Sequence, residues 1–344
     1  ASGFAQTTLF DADWRFHRGG AQRAEFPEFD DSKWRSVDLP HDWSIEDLPG
    51  TQSPFDPNAV GQVSTGFTVG GTGWYRKAFT IPAGQKGKRI SIQFDGVYMN
   101  ADVWLNGESL GKHPYGYTSF WFDISDKIKY GEKNILSVQV KNEGQNSRWY
   151  TGSGIYRHVW LKVVEPVHVA QWGTYITTPE VNASSAKINI KTNIKNESAG
   201  ASEVTLVTRI LNARGGEVAK TQSKENVKAN DSLEFKQDAG ISAPQLWSTE
   251  LPTLYTAVTE VYHNGKLTDK TETKFGIRTI SFDAVNGFML NGKPTKLKGG
   301  CIHHDNGPLG AKAYDRAEER RVEILKASGF NAIRSAHNPP SPAF

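Results

Sequence analysis

The segment "GGCIHHDNG", residues 299–307, sets a thiol, two adjacent imidazoles and a carboxylate within the five positions 301–305. Side chains of these types ligate metals, move protons or hydrogen-bond a polar ligand. Successive strand residues point to opposite faces, so His303 and His304 cannot easily share one ion. Cys301, His303 and Asp305 do share a face, and a metal held by these three stands as the alternative to a ligand contact or a core or loop role. Downstream, Arg334 and His337 lie in "IRSAHNPP", where two prolines restrict the turn and hold its neighbours in place. A third group, Arg148, Trp149 and Tyr150 in "NSRWYTGSGIYR", joins hydrogen-bond donors to flat apolar ring faces. That combination suits a sugar and equally suits a domain interface.

Three kinds of segment must position these groups. From Trp14 to about Glu165 the chain reads as short strands broken by Gly, Pro, Asn and Asp. "KRISIQFDGV" and "ADVWLNGES" alternate apolar and polar residues, and Asn106–Gly107 is a hairpin signal. The pattern predicts a sandwich or jelly roll over 1–165. Residues 166–276, with "AKINIKTNIKN" and "EVTLVTRILN", predict a second sandwich of immunoglobulin-like size. Residues 277–344 change again: "KLKGGCIHH" reads as a strand, "DRAEERRVEILKASG" as a helix stopped by Gly329, and "FNAIRSAH" as a second strand. A strand–helix–strand unit after two sandwiches predicts the opening of an α/β barrel. With only two barrel strands, Ile277–Phe344 should be the least protected part of the chain, held by the immunoglobulin-like domain, by a second copy in a homo-oligomer, or hardly at all.

The 344 residues allow two or three domains. Forty Lys and Arg stand against 37 Asp and Glu, a net charge of +3, and the charges are interleaved, so no nucleic-acid footprint is expected. No apolar stretch approaches the roughly 20 residues of a membrane span. A single cysteine, Cys301, excludes an internal disulfide framework and any CxxC motif. The start, "ASGFAQTTLFDADW", has neither a basic nor a long apolar region, although its small residues are compatible with the remains of a cleaved export signal. Periplasmic, secreted and cytoplasmic locations all stay open.

Three stretches then carry a family resemblance. "TGWYRKAFTIP", "FDGVYMNADVWLNGESLGKHPYGYTSFWFDIS" and "RWYTGSGIYRHVWL" resemble the sugar-binding jelly roll of glycoside hydrolase family 2. "LWSTELPTLY" and "KFGIRTI" are similar to its immunoglobulin-like domain. "LKGGCIHHDNGPLGA" and "GFNAIRSAHNPPSP" are similar to the first two strands of its catalytic (β/α)₈ barrel. Within the family the third stretch is most similar to β-galactosidases, with β-glucuronidases and β-mannosidases as alternatives.

The resemblance implies a retaining exo-glycosidase acting on terminal β-galactosides of an oligosaccharide or glycan. No cofactor is implied. His303 would reach the sugar in the terminal subsite, His337 would hydrogen-bond the substrate, and Arg334 would pair with the nucleophilic carboxylate; His304 would be structural. Several relatives carry an aspartate near Arg148, so its hydroxyl contact is in doubt here and falls to Arg148, Trp149 and Tyr150. No part of the sequence matches either catalytic-glutamate motif, so no catalytic residue is assigned and the chain alone is expected to be inactive. The reading from another class is a non-catalytic carbohydrate-binding or adhesive protein of two sandwiches.

Overall fold

A computed structural model describes residues 6–344; residues 1–5, where the small-residue start lies, fall outside the described residues. The chain forms two compact units. One comprises Thr7–Lys162 with Lys298–Phe344, the other Val163–Leu297 with Gln6.

In the first unit a six-stranded antiparallel sheet runs in the order Arg35–Val37, Trp14–Arg18, Gly71–Thr80, Lys133–Asn142, Ala101–Leu105, Glu108–His113. A four-stranded sheet faces it: Gln6–Leu9, Val159–Val164, Arg89–Phe94, Phe120–Asp123. Alternation decides the inner faces: Ile90, Ile92 and Phe94 are fully buried from one strand, Ala101, Val103 and Leu105 from another. Asn106 and Gly107 close their hairpin with φ of 53° and 86°, the left-handed pair such a tight turn demands. Trp14, Trp34 and Trp74 are buried core residues, whereas Trp121 is exposed.

The second unit packs a three-stranded sheet (Val167–Val181, Ser185–Asn196, Asp231–Ser242) and a four-stranded one (Glu217–Val227, Ser202–Leu211, Tyr255–His263, Lys266–Phe275). Ile188, Ile190 and Ile194 alternate inward from a single strand. A small sheet of Ile280–Asp283, Gly287–Leu290 and Lys293–Pro294 follows. It is fastened to this sandwich: Asn291 donates to the Trp247 carbonyl at 3.0 Å, Trp247 N–H donates to the Ile277 carbonyl at 2.8 Å, and Arg278 lies over the Trp247 ring at 4.6 Å.

The remaining segment is a parallel strand–helix–strand unit. Gly299–Ile302 pairs with Ala332–Ser335, Gly299 opposite Ala332 and Ile302 opposite Ser335, and the helix Asp315–Ala327 connects them. Ile324 is exposed, Val322 and Leu325 are half-buried, and the buried residue is Glu318. Its carboxylate is bonded to Arg321, whose guanidinium also donates to the carbonyls of His303 at 2.9 Å and Asp305 at 2.6 Å. The helix therefore holds the segment through a polar network at its first turns rather than through its apolar stripe.

The expected anchoring also differs. The first sandwich holds the segment. Ala313 N–H donates to the Tyr156 carbonyl at 3.0 Å, Arg157 to the Pro339 carbonyl at 2.9 Å, and Ala311 N–H to the Asp42 carboxylate at 2.8 Å. These bonds use backbone groups, which carry no signature in the side-chain pattern.

Candidate functional site

His303 follows directly on the strand Gly299–Ile302, and His337 lies two residues beyond its neighbour Ala332–Ser335. Both side chains therefore stand at the carboxyl ends of adjacent parallel strands, where α/β folds build their sites. Trp149, from the loop after Lys133–Asn142, completes the group. Its ring centroid lies 5.2 Å from that of His303 and 5.2 Å from that of His337, and the two imidazoles are 5.5 Å apart. Arg334 stands on the rim with its Nη1 at 3.1 Å from His337 Nδ1 and 3.6 Å from Cys301 Sγ. His303 Nδ1 is buried with no hydrogen-bond partner, an imidazole nitrogen that a ligand hydroxyl can satisfy.

His304 faces the other way. Its Nε2–H donates to the Thr151 carbonyl at 2.9 Å, and its ring meets Tyr117 and Tyr156 edge to face at 5.0 and 5.8 Å. Burial pushes its pKa down to about 4, so it is neutral at ordinary pH. The two adjacent histidines thus serve different surroundings. Among the described residues no three His, Cys, Asp or Glu side chains gather around a common point.

Tyr150 lies apart from the Trp149 group. Its hydroxyl donates to Asp42, a fully buried carboxylate that also accepts from the amides of Ser44 at 2.9 Å, Ser153 at 2.8 Å and Ala311 at 2.8 Å. Burial, and after it the Asp42 charge, hold the Tyr150 hydroxyl far above the usual phenol range, so it is a donor only. Asp42 thereby ties the loop carrying Trp149 to the loop after His303. Two glycines allow the approach: a Cβ on Gly152 (φ 69°) would stand 2.6 Å from Asp42 Oδ2, and one on Gly310 (φ 64°) 2.5 Å from it.

Beside the Trp149 group opens a cavity of about 630 Å³, lined by Tyr98, Tyr115, Tyr117, Arg148, Trp149 and Asn338 among others. Tyr115 donates to Asn338 Oδ1 at 2.5 Å, Tyr98 to Asn146 Oδ1 at 3.0 Å, and Trp149 Nε1–H to the Tyr117 hydroxyl at 3.3 Å. Burial raises the Tyr98 and Tyr117 hydroxyls, leaving them neutral. Flat rings with polar edges, amides and an arginine suit the alternating CH faces and hydroxyls of a pyranose. Reading the sequence singled out none of these tyrosines, nor Asp42. "PYGYTSF" shows the tyrosines in plain view, but their convergence depends on hairpins folded far apart in the chain.

A jelly roll, a second sandwich and a parallel strand–helix–strand unit with histidines at its strand ends make up a multidomain, mainly β chain. Two family models match in that order, "Glycosyl hydrolases family 2, sugar binding domain" over residues 10–165 and "Glycosyl hydrolases family 2" over residues 167–278. The chain belongs to glycosyl hydrolase family 2. It is 48% identical over 334 residues to a β-galactosidase of Bacteroides ovatus, covering 97% of this chain and 38% of that protein. A putative β-glucuronidase of Formosa agariphila is 38% identical over 339 residues, covering 98% of this chain and 31% of its own. Among solved structures, a family 2 member from Bacteroides cellulosilyticus superimposes with a TM-score of 0.95 at 51% identity, over 98% of this chain and 44% of that one. The chain thus spans well under half the length of these relatives.

Proposed function

We propose that the chain is the N-terminal, substrate-cradling part of a retaining exo-β-galactosidase, with the strand–helix–strand unit opening its (β/α)₈ barrel. One observation carries this reading: His303, His337 and Trp149 meet within 5.5 Å at the ends of two parallel strands, beside a cavity walled by tyrosines. In this role His303 and His337 hydrogen-bond the hydroxyls of a terminal galactose and the Trp149 ring covers its apolar face. Arg334 is left to pair with a carboxylate outside the described group.

Glycoside hydrolysis with retention needs two carboxyl groups about 5–5.5 Å apart, one to protonate the leaving group and one to attack the anomeric carbon. No carboxylate belongs to the Trp149 group, and in this reading the pair would come from the greater length that the relatives have, of which this chain covers 38% in the Bacteroides ovatus β-galactosidase. The galactoside preference rests on the similarity to the Bacteroides ovatus β-galactosidase. It is tested on the protein extended to the length of its relatives, assayed with aryl β-galactoside, β-glucuronide and β-mannoside. Faster turnover of the galactoside, with the β-anomer released first in proton NMR, supports the reading. Preference for the glucuronide, or α-anomer release, overturns the corresponding half.

A further inference from the structure

Arg148 projects into the tyrosine-walled cavity and has no hydrogen-bond or ion-pair partner among the described residues. No aspartate or glutamate lines that cavity; its other walls are Tyr, Trp, Met, Ser, Gln, Asn and Gly. The nearest acid along the chain, Glu143, lines the adjoining cavity, where its carboxylate accepts from the Thr72 hydroxyl at 2.5 Å. Arg334 does not balance the charge, being a second cation set against His337 and Cys301. A guanidinium is a planar fork of donors matched to two oxygens of one anion, and Arg148, exposed at the cavity, is open to such a group.

We propose that this cavity receives the sugar next to the terminal galactose and selects one bearing an anionic group, a uronic carboxylate or an O-sulfate, through Arg148. The inference rests on the glycosidase reading above and adds to it a substrate class, acidic glycans. The tyrosines stack on the ring of this second sugar while Arg148 reads its charge, Trp149 remaining on the terminal galactose. The chain as a whole is nearly neutral, so the selection is for one discrete anionic group and not for a polyanion surface.

Binding of three disaccharides to the 344-residue chain tests this by calorimetry: a neutral β-galactosyl-galactose, the same sugar with one O-sulfate, and β-galactosyl-glucuronic acid. At least one acidic sugar should bind about five- to tenfold more tightly than the neutral one at about 0.02 M salt, with the advantage shrinking at about 0.5 M. In Arg148→Gln the acidic-to-neutral ratio should fall to about one, and in Arg148→Lys much of it should return. The sulfated or the uronic arm winning alone identifies which anion is read, and either supports the proposal. A ratio near one in the wild type, or a preference that persists in Arg148→Gln, overturns the acidic-glycan inference and leaves the glycosidase reading standing. Binding of none of the three contradicts the sugar-cavity reading itself.

Discussion

Asp42 is the side chain on which the geometry of the site most depends. As a carboxylate it accepts from three amides and the Tyr150 hydroxyl; an asparagine there has one acceptor oxygen and an NH₂ that meets other donors. Asp42→Asn should therefore lower unfolding stability by about 3 kcal/mol, the range for breaking a buried charged network, read as a shift in chemical denaturation midpoint. Gly152→Ala should be destabilising for the separate reason of its positive φ and its approach to Asp42. His304 adds a pH dependence. Its folded pKa of about 4 lies below the ordinary value of about 6.5, so the unfolded chain binds the proton first. The stability tied to its neutral form is whole above about pH 6.5 and is lost as pH falls toward 4, at most about 3 kcal/mol. His158 has the opposite sign: its hydrogen bond to Asp11 raises its pKa, and its contribution fades as pH rises. The acid-side loss should shrink in His304→Gln, measured as the difference from wild type between pH 6.5 and 4. An unchanged slope would remove His304 from the account.

At the level of elements, the segment 298–344 should exchange its amides unevenly. Ala311 and Ala313 are bonded to the first sandwich, whereas among the described residues the strand Ala332–Ser335 has only Gly299–Ile302 beside it and the helix leaves Ile324 exposed. Hydrogen exchange should be slow at Ala311 and Ala313 and fast over 316–335. Uniformly fast exchange across the segment would show that the Asp42 tie does not hold it. The elements themselves were legible because strands such as Ser185–Asn196 alternate strictly and because Gly329 ends the helix. Which face of that helix is buried was not legible: its apolar stripe advertises Val322, Ile324 and Leu325, yet a Glu318–Arg321 pair makes the contact. An ion pair at that spacing looks the same in sequence whether it is solvated or buried. The small sheet of 280–294 has ordinary strand composition, and it groups with the compact unit Val163–Leu297.

For the whole molecule, the order of domains was readable from three changes in pattern, whereas His303, His337 and Trp149 were singled out through the family resemblance. Their meeting is a property of the folded unit that no local spacing encodes. In the proposed function these three side chains form the terminal-sugar wall of a family 2 glycosidase. The most direct measurement is kcat/KM for an aryl β-galactoside, taken on the 344-residue chain, on the protein extended to the length of its relatives, and on His303→Ala and His337→Ala in the extended form. Removing a hydrogen bond made to the sugar in the transition state costs about 2–4 kcal/mol, roughly 30- to 1,000-fold in rate. The chain alone should show no turnover, the extended protein should turn the substrate over, and each histidine variant should lose rate by that factor while remaining folded. Turnover that copurifies with the 344-residue chain, or histidine variants as active as the wild type, would contradict the proposed function.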